Sequence, residues 1–355
     1  MGDVVLRVER RLGRITLNRP RTLNALTPGM VREIYAALAE WADDSAVWGV
    51  LIDGAGERGL CAGGDIRGIY EHASKIRLRD RASAQHEQDG PKTFWREEYL
   101  LNHRIAEYPK PYIAIMDGIV MGGGVGVSGH GSVRIVTERS VVGMPEVGIG
   151  FLPDVGGTYL LSRAPGELGT HAALTAARLT GADAIHLGFA DHYVRSERLP
   201  KLIEALADSP EDAVREYAEE PPASQLAEER RWIDPCYSAD TVEEIAHRLR
   251  TSGEAAGEAA AKELLAKSPT SLKVTLKALR TAKVLDGLGE CLDLEYRVAC
   301  ALLTTHDLVE GIRAAIIDKD RNPRWSPDRL EEVDRASVER CFAWLGEDEL
   351  GLAVR

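Results

Sequence analysis

The sequence predicts an α/β protein with a helical C-terminal region, because strand and helix patterns alternate in the first half and helical patterns dominate afterwards. Two segments, Val47 to Ile52 and Tyr112 to Met116, are nearly uninterrupted apolar runs, which is typical of strands covered on both faces of a sheet. From about residue 160 the apolar residues recur at helical spacing. The chain has 355 residues and 44% hydrophobic content, enough for two domains or one domain with a large extension.

The N-terminal elements follow in chain order. Strands at Val4 to Glu9 and Arg14 to Asn18 flank Leu12-Gly13, which predicts a hairpin turn at those two residues. Thr27 is placed to cap a helix that begins at Pro28 and reaches Trp41. Beyond the strand at 112–116 we expect a short strand at 132–136. Further helices are predicted at 94–107, 167–178, 199–206, 210–219, 240–250, 254–267, 271–282, 288–303 and 307–317.

The acidic, proline-containing stretch Ser209–Pro222 is a candidate linker. We therefore predict two regions: a core at 1–205 that carries the active site, and a mostly helical region at 206–355.

Composition excludes several classes of protein. Acidic residues outnumber basic ones by 56 to 44, giving a formal charge of −12, which argues against a nucleic-acid-binding protein. The five cysteines are scattered without a CxxC pair, which predicts reduced thiols and a cytoplasmic location. The sequence shows no secretory signal and no apolar run of about 18 residues, so we expect no membrane span.

Several catalytic motifs are missing. The sequence has no HExxH or metal-spaced Cys/His set, no GxSxG nucleophile elbow and no GxxxxGK phosphate loop. We therefore expect no metal site, and any hydrolysis would have to use carboxylates and backbone amides.

Two glycine-rich turns could supply such amides. Gly122-Gly123-Gly124 and Gly63-Gly64 each lie between an apolar strand and a predicted helix, where an exposed N–H group would favour developing negative charge. Close helix–sheet packing is the alternative for the first turn, and helix capping is the expected role of Asp65 after the second. A GxGxxG match within 124–129 also suggests a dinucleotide site, but the residues that follow read as a strand rather than a long helix.

Two acidic residues stand in apolar, glycine-rich surroundings. Glu146 and Asp154 lie eight residues apart in MPEVGIGFLPDVGG. An acidic residue in such a segment points to a base, a nucleophile or a water-holding group, with a capping or salt-bridge role as the alternative. The charges of the stretch FWREEY at 94–99, by contrast, are expected mostly on a solvated helix face.

Ordered motifs across nearly the whole chain resemble the crotonase (enoyl-CoA hydratase/isomerase) superfamily. Within it, the chain is most similar to the branch of 3-hydroxyisobutyryl-CoA hydrolases. The superfamily motifs are NRP with LNAL, CAGGDI, KPYIAIMDGIVMGGGVG and MPEVGIGFLPDVGGTYLLSR, and the branch motifs are REEYLLN, PDVGG, EYR and HDLVEGIRA with IDKD.

The resemblance implies a spiral of ββα repeats followed by a helical region, and an acyl-CoA thioester as substrate. It implies an oxyanion hole from the N–H groups of Gly64 and Gly123. It also assigns substrate contacts to Glu98, Gly123, Glu146 and Asp154, with the chemistry on the last two. Coenzyme A is then part of the substrate, and no separate cofactor is implied.

The phosphates of coenzyme A need cations. Arg21 and Lys319 are the candidates, with an ordinary surface charge as the alternative for each. A homo-oligomer is a further implication of the family.

Departures from the hydratase pattern narrow the expected reaction. Hydratases of this superfamily use two glutamates around one water. The second of these glutamates matches Glu146, but the first falls at Gly126. A hydratase would also carry glycine where this chain has Asp154. We therefore expect hydrolysis of 3-hydroxyisobutyryl-CoA, with 3-hydroxypropionyl-CoA as a second candidate, a step of valine catabolism. The alternatives are an enoyl-CoA hydratase or isomerase and a non-catalytic CoA- or RNA-binding homologue.

Overall fold

The computed structural model describes residues 2–78 and 85–353. In this part of the chain the strands are β1 Val4–Glu9, β2 Leu12–Leu17, β3 Gly49–Gly54, β4 Tyr112–Met116, β5 Ile119–Met121, β6 Val133–Val136, β7 Val141–Gly143 and β8 His192–Tyr193. The helices are α1 Pro28–Asp43, α2 Ile66–Leu78, α3 Gln85–Ala106, α4 Gly123–Gly126, α5 Gly157–Arg163, α6 Leu168–Thr175, α7 Gly181–His186, α8 Leu199–Leu206, α9 Pro210–Tyr217, α10 Gln225–Tyr237, α11 Val242–Thr251, α12 Ala255–Leu265, α13 Pro269–Ala282, α14 Leu288–Leu302, α15 His306–Ile312 and α16 Arg335–Arg340.

The chain forms two compact units, each built from three segments. The first unit contains Met1–Gly64, Leu100–Gly143 and Arg178–Ala227, and the second contains Asp65–Tyr99, Met144–Ala177 and Glu228–Arg355. The predicted division of the sequence at residue 205 stays a prediction. No helix of the described residues is both long and apolar enough to cross a membrane.

The first unit is built on a six-stranded sheet in the order β1-β2-β3-β4-β6-β8. The β1–β2 pair is antiparallel and the other neighbours are parallel. All five residues of β4 and the first five of β3 are buried, as expected for strands covered on both faces. A second, two-stranded parallel sheet pairs β5 with β7. The sequence did not predict these two short strands.

The predicted hairpin exists, but its turn was placed at the wrong residues. Glu9 pairs with Leu12 and Val8 with Gly13, so the turn is Arg10-Arg11 and the glycine belongs to β2. Gly13 is needed for packing, because a Cβ there would lie 2.6 Å from the Trp41 ring.

The prediction of a linker at 209–222 is wrong. This stretch contains α9, whose Ala213 is buried in the core cluster with Leu51, Ile113 and Leu202. The N–H of Glu219 then donates to the carbonyl of Tyr193 in β8 at 2.8 Å. The segment is therefore packed into the core through Ala213 and hydrogen-bonded to the sheet through Glu219.

The second unit is mainly helical, and it fixes the turn that begins at Glu146. This turn, Glu146–Ile149, is a short 3-10 helix that packs against α15. The contact is close, since a Cβ at Gly311 of α15 would lie 2.3 Å from the carbonyl carbon of Ile149. The predicted helix 307–317 ends as an α-helix at Ile312 and continues as a π-helical turn, Arg313–Ile317.

Candidate active site

Within the first unit, the two glycine-rich turns lie side by side. The N–H of Met121 donates to the carbonyl of Cys61 at 3.0 Å, and a Cβ at Gly63 would lie 3.7 Å from the nitrogen of Gly123. A Cβ at Gly124 would lie only 2.3 Å from the Cys61 carbonyl oxygen. The glycines therefore permit a backbone approach that any larger residue would block.

Gly64 and Gly123 present N–H groups at this junction. Gly123 is the first residue of α4, after Gly122 with φ 51° and ψ −119°. Neither N–H donates in any of the backbone hydrogen bonds that join turns and loops in the described residues. Two neighbouring donors of this kind suit a developing oxyanion. Cys61 is fully buried, which agrees with a packing role for its side chain.

Within the second unit, the structure brings Glu98, Glu146 and Asp154 into one buried electrostatic cluster. Their exposed fractions are 3%, 6% and 6%. Glu146 begins the 3-10 turn, and Asp154 lies in the loop before α5. The carboxylate of Asp154 accepts a hydrogen bond of 2.8 Å from the hydroxyl of Tyr99.

Glu98 lies on α3 with its side chain buried, so the expectation of a solvated face is wrong at this position. Its neighbours Trp95 and Tyr99 are buried too. The side-chain oxygens Glu98 Oε1 and Glu146 Oε2 find no hydrogen-bond partner among the described residues. A buried acceptor without a partner calls for an explanation, and a bound substrate group is one.

The cluster favours protonated carboxyl groups. Burial, and next the charge of Asp154, raise the pKa of Glu98 and of Glu146 well above the usual range of a glutamate. Burial raises the pKa of Asp154 to about 7, although the hydrogen bond from Tyr99 lowers it. A carboxyl group with a pKa near neutrality can both give and take a proton at neutral pH.

Two residues of this cluster were given no individual role from the sequence. Tyr99 donates to Asp154. Glu295 on α14 is fully buried and accepts from the backbone N–H of Gly156 at 2.7 Å. A sequence signal existed for Glu295, because it stands among residues at helical spacing that are all apolar; these are Cys291, Leu292, Val298 and Ala299.

The candidate cations for coenzyme A are both exposed. Arg21 lies in the short 3-10 helix Pro20–Thr22 of the first unit. Lys319 follows the π-helical turn of the second unit, with φ 58°. Their role in binding coenzyme A stays a prediction.

Comparison with known proteins identifies the family. The model of the enoyl-CoA hydratase/isomerase family matches residues 12–342. The chain is 41% identical to the mitochondrial 3-hydroxyisobutyryl-CoA hydrolase of Danio rerio, with 99% of this chain and 92% of that protein covered. It is also 41% identical to the Homo sapiens protein of the same name, with 98% and 90% covered.

Solved structures agree on the fold. The crystal structure of a carnitinyl-CoA dehydratase from Mycobacterium thermoresistibile matches with a TM-score of 0.92 and 51% identity, covering 99% of each chain. That of an enoyl-CoA hydratase from Rhodobacter sphaeroides 2.4.1 matches with a TM-score of 0.91 and 42% identity, covering 98% of this chain and 99% of the other. The predicted crotonase-like α/β fold is confirmed, and this chain belongs to the enoyl-CoA hydratase/isomerase family of acyl-CoA enzymes.

Proposed function

We propose that this protein hydrolyses the thioester of 3-hydroxyisobutyryl-CoA, and also that of 3-hydroxypropionyl-CoA, to the free hydroxy acid and coenzyme A. The observation that carries the proposal is the buried pair of acids Glu146 and Asp154, combined with a glycine at position 126, where the hydratase pattern has a glutamate. The nearly full-length similarity to 3-hydroxyisobutyryl-CoA hydrolases supports it. The two substrates differ by one methyl group, which is worth only about 1–3 kcal/mol of discrimination.

The roles follow from the chemistry of the groups. We assign the thioester oxygen to the N–H groups of Gly64 and Gly123, which would stabilise the tetrahedral oxyanion; one such donor is typically worth ~3 kcal/mol of barrier. Glu146 carries the attack, and Asp154 holds water or supplies a proton to the departing thiolate. The unpartnered oxygen of Glu98 is assigned to the hydroxyl group of the acyl chain.

Two modes of attack are open to Glu146. In the first, its carboxylate adds to the thioester carbon, the C–S bond breaks, and water then hydrolyses the mixed anhydride. In the second, Glu146 takes the proton of a water molecule that attacks directly. Turnover in heavy-oxygen water followed by mass spectrometry tests the first mode. Labelled oxygen in Glu146 would establish the anhydride with water attacking the Glu146 carboxyl carbon, because neither direct attack by water nor attack of water on the acyl carbon leaves a label there.

A dehydratase or hydratase is the second candidate function, and the 51% identity to a carnitinyl-CoA dehydratase favours it. Gly126 counts against it, because the family pattern places the first hydratase glutamate at that position. A non-catalytic homologue is disfavoured by the retained acids and by the net charge of −12. The vertebrate relatives are named mitochondrial, whereas the cytoplasmic location of this chain, like its homo-oligomeric state, stays a prediction.

A panel of 3-hydroxyacyl-, saturated and enoyl-CoA thioesters tests the proposal. We expect thiol release that is fastest with the two 3-hydroxyacyl substrates, with no accumulation of an enoyl product. Gain or loss of enoyl absorbance without thiol release would refute the proposed hydrolase function and favour a dehydratase or hydratase. No thiol release and no absorbance change with any substrate would favour the non-catalytic alternative.

A further inference from the structure

The turn after Asp154 has an unfavourable backbone. Val155 has φ 53° and Gly156 has φ 80°. A positive φ is sterically poor for a β-branched residue, so the surrounding structure must hold Val155 there. The N–H of Gly157 closes the turn by donating to the carbonyl of Asp154 at 2.6 Å.

Glu295 holds this turn from a distant part of the sequence. Its Oε2 accepts from the N–H of Gly156 at 2.7 Å. Its Oε1 accepts from the N–H of Thr158 at 2.9 Å and from the Thr158 hydroxyl at 2.5 Å. Helix α5 begins here with Gly156 as its N-cap and has no side-chain cap of its own. The carboxylate of Glu295 therefore satisfies N–H groups that a local capping residue would otherwise bind.

Tyr99 holds the same turn through a hydrogen bond to the side chain of Asp154. Its hydroxyl donates to Asp154 Oδ2 at 2.8 Å. The Tyr99 ring is fully buried, and it meets the ring of Tyr296, the residue after Glu295, edge to face at 6.2 Å. The backbone and the carboxylate of the Asp154 turn are thus held by two neighbouring side chains.

We propose that Glu295 is a positioning residue for thioester hydrolysis, which fixes the turn that carries Asp154 while Tyr99 orients the Asp154 carboxylate. The inference rests on the proposed function for its catalytic meaning. A misplacement of about 1 Å in such a group costs on the order of a hundredfold in rate, which gives a buried carboxylate at this position a functional use.

Glu295 also acts electrostatically on the cluster. Burial raises the pKa of Glu295 to about 8, while the donors from Thr158 and Gly156 lower it and the charge of Asp154 raises it. In turn, the charge of Glu295 is one of the causes that raise the pKa of Glu146. The titratable and charged groups that interact within this part of the second unit are Glu98, Tyr99, Glu146, Asp154, Arg163, Glu290, Cys291 and Glu295.

The two contacts therefore predict opposite effects on titration. Glu295→Gln removes the negative charge that Glu295 carries once it is deprotonated, so the pKa of Glu146 should fall. Tyr99→Phe removes the hydrogen bond that lowers the pKa of Asp154, so that pKa should rise. A merely structural role would reduce the activity of both variants without moving their titrations in opposite directions.

The test compares Glu295→Gln and Tyr99→Phe with Glu290→Gln. Glu290 lies on the same helix and also accepts from two backbone N–H groups, those of Asp286 and Gly287, so it is a matched control. We expect Glu295→Gln to lower kcat for thiol release by at least about tenfold, with less effect on KM, and to move the acidic limb of the pH profile down. Tyr99→Phe should instead raise the pKa of Asp154, because the hydrogen bond that lowers this pKa is lost, and Glu290→Gln should leave the limb in place.

A second readout does not depend on turnover. Carboxyl titration by NMR of protein labelled with carbon-13 at Asp and Glu should show a lower pKa of Glu146 in Glu295→Gln and a higher pKa of Asp154 in Tyr99→Phe. Thr158→Val keeps Glu295 but removes the hydroxyl that donates to it, so it should raise the pKa of Glu295 and lower kcat. If Glu295→Gln does not fold, this variant tests the positioning role of Glu295 in its place.

The outcomes separate the two proposals. If wild type releases no thiol but the variants still show the stated changes in carboxyl pKa, the proposed function is refuted. The contacts of Glu295 and Tyr99 with the Asp154 turn would then be retained as a finding. Active wild type, with Glu295→Gln and Thr158→Val both within twofold of Glu290→Gln and with unmoved titrations, would overturn the role of Glu295.

Discussion

Replacing Asp154 with asparagine tests the cost of burying this carboxylate. Burial raises the pKa of Asp154 from 3.8 to about 7, so between these pH values the folded protein keeps a proton that the unfolded chain has lost. The stability of the folded state must therefore fall as the pH rises through this window. At 1.4 kcal/mol per pH unit, the whole fall is roughly 4 kcal/mol. Asparagine retains an oxygen acceptor for Tyr99 but cannot ionise, so Asp154→Asn avoids this loss.

The assay is urea unfolding of wild type and Asp154→Asn, followed by far-UV circular dichroism. Between about pH 5 and about pH 8, we expect the free energy of unfolding of the variant to gain roughly 3 kcal/mol relative to wild type. Exposed Asp240 offers a matched control, since Asp240→Asn makes the same chemical change at a position that lacks the burial of Asp154. An equal stability difference at both pH values for Asp154→Asn would refute the reasoning.

Two further predictions concern the pH profile and the glycine turns. Burial raises the pKa of Glu146 well above the usual glutamate range, and the protonated group can neither attack nor accept a proton. The acidic limb of kcat/KM for thiol release should therefore lie above the pH range in which an ordinary glutamate titrates, and a limb within that ordinary range would contradict this. Gly124→Ala should destabilise the protein by about 1–3 kcal/mol in urea unfolding, because its Cβ would meet the carbonyl of Cys61 at 2.3 Å. Gly68→Ala, with nothing within 4 Å of its Cβ, is the matched control and should be neutral or slightly stabilising.

The parts of the fold that depend on local patterns were predictable. The apolar run at 112–116 is β4, and the capping residue Thr27 accepts from the N–H of Met30 at 3.3 Å at the start of α1. Gly13 was misread because a glycine in a hairpin indicates a turn, whereas here it makes room for the ring of Trp41. That contact is set by tertiary packing, which a local pattern does not contain.

The acids show the same limit. Glu146 and Asp154 stood out because their neighbours in sequence are apolar. The local charge pattern placed Glu98 on the solvated face, and only the family resemblance gave it a substrate contact. Yet Trp95, Tyr99 and Asn102 share its helical spacing and are all buried. Glu295 reaches Thr158 across 137 residues, and only the folded chain shows that pairing.

Glu146 carries the central chemistry of the proposed hydrolysis, so its replacement with glutamine is the most direct test. The measurement is thiol release from 3-hydroxyisobutyryl-CoA by wild type and Glu146→Gln, with urea unfolding to show that both are folded. We predict that wild type releases thiol and that the variant loses about 10²–10⁴-fold in kcat. Release by a folded Glu146→Gln within twofold of wild type would contradict the assignment.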